Sequence, residues 1–165
     1  MSTVLSDRPR LDPLALRASF SQFPSGVAAL CAVVDDEPVG LVASTLTTVS
    51  LEPALVSVCI QRTSRTWVRL REAPRLGISV LAAEQEAVTR QLAARDGDRF
   101  AGIAWAGRFR GAVLIDGAAM HLESHLLREI PAGDHVIALL AIDTVTSFLD
   151  VEPAVFHRSG FRRLA

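Results

Sequence analysis

Five hydroxyl side chains crowd one short stretch of the sequence, GLVASTLTTVSLEPAL, which runs from Gly40 to Leu55. They are Ser44, Thr45, Thr47, Thr48 and Ser50. An exposed loop usually carries Gly, Pro, Asp or Lys, whereas these hydroxyls donate and accept hydrogen bonds without charge. The composition predicts a neutral rim that faces a polar ligand.

A second stretch, QRTSRTW from Gln61 to Trp67, combines hydroxyls with arginines at the expected start of a helix. Its members between these two ends are Arg62, Thr63, Ser64, Arg65 and Thr66. Free backbone N–H groups and the helix dipole attract a phosphate at such a start, while hydroxyls and an arginine complete its hydrogen bonds. The alternative interpretation is an ordinary capped helix with solvated arginines.

The two stretches are separated by an apolar segment at 54–60, which we expect to be a strand. The neutral rim would lie at the start of this strand and the phosphate site at its end, about 20 Å apart at the usual strand rise. Flavin mononucleotide (FMN) has a flat hydrogen-bonding ring system at one end and a phosphate at the other. The spacing is compatible with FMN.

A metal site is a competing interpretation of another segment, MHLESHLL. His121, Glu123 and His125 share one face if the segment is a strand, because side chains alternate there. Successive members of the set would lie about 7 Å apart, which is too far for one ion unless long side chains converge. We therefore expect a solvated polar face and no metal.

Length and charge narrow the range of functions. The chain has 165 residues, which suits a single domain over 1–165, with 1–11 expected as a flexible N-terminus. The 17 basic and 18 acidic side chains nearly cancel and are scattered, so a nucleic-acid partner is not expected. The longest apolar run, at 26–34, is far shorter than the roughly 20 residues that span a bilayer.

The compartment is predicted from the N-terminus and the cysteines. The first 20 residues have no apolar run after a basic start, so we expect no secretory signal. Cys31 and Cys59 each lie inside an apolar run, which is typical of reduced cysteines that pack as small hydrophobic side chains. We expect a cytoplasmic protein without a disulfide.

Hydrophobic periodicity predicts a mainly β protein with a few helices. The expected helices are 13–20 with Leu14, Leu16 and Phe20 as its apolar stripe, 63–73 with Ser64 as N-cap and Trp67 and Leu70 inside, and 82–95 with Val88 and Leu92 inside. The expected strands are 27–34, 39–43, 54–60, 76–81, 113–115, 118–127, 135–148 and 155–164. Six or more strands with two or three helices predict an antiparallel barrel of the α+β class.

Several common catalytic motifs are missing from the sequence. It contains no G-x-G-x-x-G, no G-x-x-x-x-G-K-[ST], no G-x-S-x-G and no H-E-x-x-H. The usual dinucleotide, nucleotide, hydrolase and zinc-protease interpretations therefore lack their key residues.

Six motifs in order resemble the flavin reductase-like proteins with an FMN-binding split barrel. They are FPSGVAAL at Phe23, GLVASTLTTVSLEPALVSVCI at Gly40, RTSRTW at Arg62, DRFAG at Asp98, AGDHVI at Ala132 and FHRSGFRRL at Phe156. Each motif alone is loose, but their order covers about 14–164, nearly the whole chain. The resemblance implies a six- or seven-stranded antiparallel split β-barrel, usually homodimeric, with flavin close to the subunit interface.

The resemblance also implies roles for single residues. The stretch 42–46 would contact the isoalloxazine and ribityl groups, 62–66 would hold the phosphate, and His135 would lie beside the nicotinamide of NADH with Phe161 near the same pocket. The candidate cofactor-binding residues are Val42, Ala43, Ser44, Thr45, Leu46, Ser50, Gln61, Arg62, Thr63, Ser64, Arg65, Thr66, Trp67 and Phe161, and the candidate catalytic residue is His135. Without the resemblance, Asp134 and His135 would be interpreted as an ordinary turn before a strand.

The sequence departs from the family pattern at a few of these positions. The family often has Thr at Val42, a second Ser at Thr45, Phe at Leu46 and Tyr at Phe161. The change at Val42 removes a side-chain hydrogen bond to flavin, and the missing phenol at Phe161 leaves only stacking. Backbone contacts to flavin would survive both changes.

Taken together, the sequence and the resemblance predict an NAD(P)H:flavin oxidoreductase. Such an enzyme transfers a hydride from NADH or NADPH to FMN, with FAD as the alternative, and supplies reduced flavin to a partner monooxygenase. Two alternatives stay open. One is a non-catalytic flavin-binding split-barrel module, and the other is a flavoenzyme that retains its flavin and reduces another substrate.

Overall fold

The structure is a computed structural model that describes residues 10–164. Most of the expected flexible N-terminus, residues 1–9, lies outside the described residues. The helices are α1 (Pro13–Phe20), α2 (Arg65–Leu70) and α3 (Glu86–Leu92). The strands are β1 (Ser25–Gly26), β2 (Ala28–Val34), β3 (Glu37–Ala43), β4 (Thr47–Leu51), β5 (Ala54–Gln61), β6 (Leu76–Val80), β7 (Trp105–Gly107), β8 (Val113–Ile115), β9 (Met120–Ala132), β10 (His135–Ser147), β11 (Val155–His157) and β12 (Gly160–Arg162). None of the three helices is long and apolar enough to cross a bilayer.

Seven strands form one antiparallel sheet in the order β3-β2-β6-β9-β10-β5-β4. Its two edge strands, β3 and β4, are consecutive in the chain and are joined by only three residues, 44–46. A link this short spans little more than about 14 Å, so the sheet must curl until its edges approach each other. The predicted antiparallel barrel of the α+β class is confirmed.

Apolar side chains pack on both sides of the curled sheet. The core inside the barrel is built from alternate residues of the long strands, including Leu30, Val58, Ile78 and Leu140, all fully buried. A second core lies between the outside of β2 and the elements α3, β8 and β11–β12. Strand β2 is buried on both faces, which explains why its sequence AALCAVV is continuously apolar rather than alternating.

Most element predictions are confirmed to within a few residues, and the buried positions of Trp67, Leu70 and Leu92 are as expected. The predicted strand at 118–127 extends to Ala132, because β9 pairs with β10 along its whole length. The predicted single strand at 155–164 is wrong. Arg158 and Ser159 both have positive φ and turn the chain into the hairpin β11–β12.

Helix α1 forms where the sequence places it, but its apolar stripe does not reach either core. Asp12 caps it by accepting from the backbone N–H groups of Leu14 and Ala15 at 3.3 and 3.2 Å. None of its residues is buried, and Leu14 and Phe20 are 73% and 70% exposed. The predicted stripe is therefore present on α1, with Leu16 half-buried and its other two members exposed.

Candidate functional site

A basic cleft of about 720 Å³ opens between β3, α2 and the loop at 97–100. The side chains that give it its character are Arg65, Thr66 and Arg69 from α2, Arg99 and Phe100 from the loop, and Trp105 from β7. Glu37 and Asp98 also line it, so three arginines face two carboxylates. We call this surface the basic cleft.

Arg99 joins the two walls of the basic cleft. Its Nη1 donates to the carbonyl oxygen of Gly40 on β3 and to Oγ1 of Thr66 on α2, both at 3.1 Å. The ion pairs of residues 10–164 involve other arginines, so no carboxylate neutralises Arg99 in the described part of the chain. A half-buried, uncompensated guanidinium attracts an anion.

The local sequence explains how Arg99 is held in place. Asp98 accepts from the backbone N–H of Phe100 at 2.9 Å, which tightens the turn around Arg99. Phe100 is buried in the second core, with its ring edge-on to Trp105 at 6.3 Å. The motif DRF thus anchors the loop on both sides of the arginine.

Helix α2 begins as the sequence predicts. Ser64 is the N-cap, and its hydroxyl accepts from the backbone N–H of Trp67 at 3.1 Å. Trp67 is only 3% exposed and its indole N–H donates to Glu129 at 2.6 Å. Trp67 therefore packs in the barrel core and does not line the basic cleft, whereas Arg65 and Thr66 line it.

The neutral rim does not lie where the sequence placed it. Thr45 donates to the carbonyl oxygen of Cys59 and accepts from its N–H, both at 3.0 Å. Cys59 is near the end of β5, so Thr45 lies beside the loop that enters α2 rather than about 20 Å away. The predicted distance was wrong because β4 folds back on β5 as a hairpin, and the sequence analysis predicted no strand at the position of β4.

The rim residues are consequently divided between two places. Ser50 is opposite Leu55 at the start of β5, away from the loop into α2. Val42 packs against the second core, and Ala43 and Leu46 pack against the first. These three apolar side chains pack against the cores, whereas the side chains of Ser44 and Thr45 between them are exposed.

A second, aromatic cleft of about 480 Å³ lies between α1, the start of β1 and the turn of the β11–β12 hairpin. Its main lining residues are Arg17, Phe20, Phe23, Ser44, Phe156 and Arg158. Arg158 donates twice to the side-chain oxygen of Gln22, at 2.9 and 2.8 Å, and so ties the hairpin turn to the end of α1. We call this surface the aromatic cleft.

His135 lies close to the loop that leads into α2. It pairs with Gln61 across β10 and β5, and the backbone N–H of Arg62 donates to the carbonyl oxygen of Asp134 at 3.0 Å. The His135 Nδ1 is 2.7 Å from the carboxylate of Asp134. This hydrogen bond, together with the charge of the imidazole, lowers the pKa of Asp134 below its ordinary value.

The side chain of Gln61 and those of Arg62 and Thr63 are exposed at this turn. Phe161 lies further away and lines neither of the two clefts. Its ring contacts Phe156 edge-on at 5.5 Å and lies 5.5 Å beneath the guanidinium of Arg90 on α3. It packs against the second core, so the structure brings His135 and Gln61 together but not Phe161 with them.

The residues of the metal interpretation have other partners. His121 Nε2 is 2.8 Å from the carbonyl oxygen of Ile115, and His125 Nδ1 is 3.2 Å from Asp143. Within residues 10–164, no group of three or more His, Cys, Asp or Glu side chains is placed to hold a metal ion. Both cysteines are free, with Cys31 buried and Cys59 half-buried.

Sequence reasoning missed Arg99, Phe100, Phe20 and Phe23 as site residues. The segment DRFAG belongs to the resemblance alone, and FPSG is also the predicted end of the first helix. The signal for Arg99 was present, because an arginine between a turn-forming Asp and a large apolar residue is held in a fixed position. No signal marked the two phenylalanines, since an exposed aromatic residue looks like a core residue in the sequence.

Comparison with known proteins agrees with this geometry. Residues 20–165 match the model of the family described as flavin reductase like domain. The NADH-dependent FAD reductase of Streptomyces globisporus is 37% identical over 159 residues, covering 93% of this chain and 87% of that protein. The reductase subunit HsaB of a flavin-dependent monooxygenase from Rhodococcus jostii (strain RHA1) is 30% identical over 151 residues, covering 92% and 77%.

Solved structures show the same fold. The Streptomyces globisporus NADH:FAD oxidoreductase SgcE6, in complex with NAD and FAD fragments, superposes with a TM-score of 0.87 at 37% identity and covers 96% of this chain and 98% of that chain. The flavin reductase component BorF of a bacterial two-component tryptophan halogenase has a TM-score of 0.84 at 34% identity and covers 93% and 98%. The chain belongs to the flavin reductase like family.

Proposed function

We propose that the protein is an NAD(P)H:flavin oxidoreductase that transfers a hydride from NADH to FMN or FAD and supplies reduced flavin to a partner monooxygenase. The observation that carries this proposal is Arg99, which is fixed to both walls of the basic cleft and has no carboxylate partner among the described residues. In a chain of the flavin reductase like family, such a group is suited to the phosphate of a flavin.

The basic cleft holds the phosphate end of the flavin. Arg99 and Arg65 supply charge, and the hydroxyl of Thr66 and the first backbone N–H groups of α2 supply hydrogen bonds. The side chains of Arg62, Thr63 and Ser64 border the same loop, with Ser64 engaged in the cap. The cleft, at about 720 Å³, is larger than one phosphate needs, which leaves room for the additional phosphate of FAD.

The ring system lies toward Ser44 and the aromatic cleft. Ser44 directly follows β3 and is four residues beyond Gly40, about 13 Å at the usual strand rise, which suits a ring joined to a phosphate by a five-carbon chain. Strand β3 is an edge strand, so the segment 42–46 offers neutral hydrogen bonds to the ring edge from its unpaired side. Phe20, Phe23 and Phe156 offer apolar surface to a stacked nicotinamide.

The chemistry asks little of the protein's own side chains. The nicotinamide donates a hydride directly to the flavin ring, so the residues need only hold two flat rings in contact and limit the access of water. His135 is held by Asp134 beside Gln61, and its proposed role of positioning the nicotinamide rests on the family resemblance. The absence of a catalytic triad or a metal-ligand motif in the sequence is consistent with this division of work.

We also propose that the protein is a homodimer in the cytoplasm. The apolar side chains of α1 and its following turn are exposed, with Leu14 at 73%, Phe20 at 70% and Phe23 at 80%. Strand β4 adds Val49 and Leu51 to the exposed apolar surface. A second copy of the chain that covers this surface would also close the aromatic cleft.

The decisive experiment is a flavin-dependent NADH oxidation assay with FMN, FAD and riboflavin, and with NADH against NADPH. We expect the nicotinamide absorbance to fall only when protein, NADH and a flavin are all present. Oxidation that never exceeds the rate without protein would contradict the reductase and favour a non-catalytic flavin-binding module. Flavin that stays bound through gel filtration after reduction would contradict supply of free reduced flavin to an oxygenase.

The role of His135 is tested by His135→Ala. We expect a KM for NADH about fivefold higher and a Kd for FMN within twofold of the original, because the imidazole acts on the nicotinamide. His125→Ala is the matched control. His125 also pairs with an aspartate, Asp143, but it lies on β9, whereas His135 begins β10. An unchanged KM for NADH in His135→Ala would remove this role.

A further inference from the structure

The side chains of strand β9 that face the barrel core change from even-numbered to odd-numbered residues partway along the strand. Leu140 of β10 pairs with Leu126, whereas Leu139 pairs with Arg128, so Leu127 has no partner and forms a β-bulge. Before the bulge, the even-numbered residues Leu122 and Ser124 are buried. After a one-residue bulge, the odd-numbered residues take over that face.

The bulge places Glu129, rather than Arg128, on the face toward the barrel core. Glu129 pairs with Ala138, which is fully buried in that core. Its carboxylate accepts from the indole N–H of Trp67 at 2.6 Å and from Nη1 of Arg71 at 3.4 Å. Without the bulge, the guanidinium of Arg128 would point toward Arg71 and would offer the indole no acceptor.

The contact fixes the helix that forms one wall of the basic cleft. Trp67 follows Thr66 directly, and Arg65, Thr66 and Arg69 of α2 line the cleft. Helix α2 has only six residues, too few to be stable by itself, so its position depends on its tertiary contacts. Three of these contacts are hydrogen bonds: Thr66 accepts from Arg99 at 3.1 Å, Arg69 donates to the carbonyl oxygen of Val34 at 3.5 Å, and the indole of Trp67 donates to Glu129 at 2.6 Å. The bond to Glu129 is the shortest of the three, and its donor, Trp67, is buried.

We infer that Glu129 is a positioning residue for flavin binding, which acts through Trp67 to hold Arg65 and Thr66 in register with Arg99. This inference rests on the proposed function, because it assumes that the basic cleft binds the flavin phosphate. Glu129 does not touch the ligand. It sets the affinity for phosphorylated flavins and leaves that for riboflavin unchanged.

The test measures the Kd of FMN and of riboflavin by equilibrium dialysis without NADH, for Glu129→Ala, Glu129→Gln and Trp67→Phe. We expect Glu129→Ala to raise the Kd of FMN about fivefold and that of riboflavin less than twofold. Trp67→Phe, which keeps an aromatic ring but loses the N–H donor, should do the same. Glu129→Gln should restore most of the FMN affinity, because its amide oxygen still accepts from the indole.

Glu72→Ala is the matched control. Glu72 accepts from Arg71 at 3.2 Å, as Glu129 does at 3.4 Å, but makes no contact with Trp67. We expect its two flavin Kd values to stay within twofold of the original. The double variant Glu129→Ala with Trp67→Phe should lose no more FMN affinity than either single variant, because both remove the same hydrogen bond.

Three results would overturn the inference. They are equal losses for FMN and riboflavin, an FMN Kd in Glu129→Ala no higher than in Glu72→Ala, and a lowered melting temperature with unchanged FMN affinity. If Glu129→Ala fails to fold, Trp67→Phe supports or overturns the inference by the same measurement. A protein that binds FMN as expected but oxidises no NADH would contradict only the proposed reductase, whereas one that binds neither FMN nor FAD would overturn both.

Discussion

The basic cleft and the aromatic cleft differ in how completely one chain builds them. In the basic cleft, Arg99 is hydrogen-bonded to both walls and Phe100, the buried aromatic residue of its lining, is 8% exposed. In the aromatic cleft, Phe20 and Phe23 are 70% and 80% exposed. One site is completed by the fold of a single chain, and the other leaves its largest apolar side chains in water.

This difference separates the two ends of the proposed ligand. A phosphate needs charges held at fixed positions, and buried neighbours provide them. Ring stacking needs apolar surface, and α1 provides it without burying any of its own residues. We therefore expect changes in the basic cleft to alter flavin affinity or folding, and changes in the aromatic cleft to alter assembly and NADH use.

The largest expected effect is on the reaction rate of the Cys31 thiol. This rate reports how well the residues beneath the basic cleft exclude solvent. Cys31 lies under Gly40 and is fully buried, and burial raises its pKa to about 12. Because a fully buried thiol reacts only when the structure opens around it, Cys31 should react with a disulfide reagent at least about a thousandfold more slowly than the half-buried Cys59. Two equal rates would show that these residues do not exclude solvent, and Cys59→Ser should remove the fast phase.

The next effect concerns Gly40 itself. A Cβ there would lie 2.6 Å from Sγ of Cys31 and 2.9 Å from the ring of Phe100, so Gly40→Ala should reduce the free energy of unfolding by about 3 kcal/mol. Gly26→Ala, next to the aromatic cleft, meets nothing within 4 Å and should cost less than about 0.5 kcal/mol. Urea denaturation measures both values, and equal losses would contradict the contrast between the clefts.

The third effect is on assembly. Phe20→Ser with Phe23→Ser removes exposed apolar surface, so the monomer should keep its stability while the dimer dissociation constant rises about thirtyfold. Phe109→Ser is the control, because Phe109 is 77% exposed but lies in the turn before β8, away from α1. Sedimentation velocity gives the dissociation constants. A dimer unchanged by the double substitution would place the interface elsewhere.

The smallest of these effects is on flavin affinity. Arg99→Ala removes the charge that spans the basic cleft, so the Kd of FMN should rise about tenfold while that of riboflavin changes little. Arg95→Ala is a suitable control, since Arg95 is exposed and does not line the cleft. Flavin fluorescence titration measures both constants. An equal loss for riboflavin would mean that Arg99 does not bind the phosphate.

Local patterns predicted much of this fold. The turn after β2 has positive φ at Asp35 and Asp36, and the cap of α2 at Ser64 is as expected. These features depend only on residues that are neighbours in the sequence, so a few consecutive residues are enough to predict them. The family resemblance, which rests on the order of six motifs, predicted the split barrel and a flavin as the ligand.

Features that depend on distant residues could not be predicted in the same way. The position of Thr45 beside Cys59 follows from the β4–β5 hairpin. The orientation of the Glu129 side chain toward the barrel core follows from a β-bulge that no local sequence pattern predicts. The exposure of Phe20 follows from α1 packing into neither core, because an amphipathic stripe does not reveal which surface it will cover.

The measurement that tests the central claim most directly is a crystal structure of the protein with FMN. The account predicts that the phosphate lies within hydrogen-bond distance of Arg99 and Thr66 in the basic cleft, with the ring system running toward Ser44 and the aromatic cleft. A phosphate bound outside the basic cleft, or a ring system that extends away from Ser44, would contradict it.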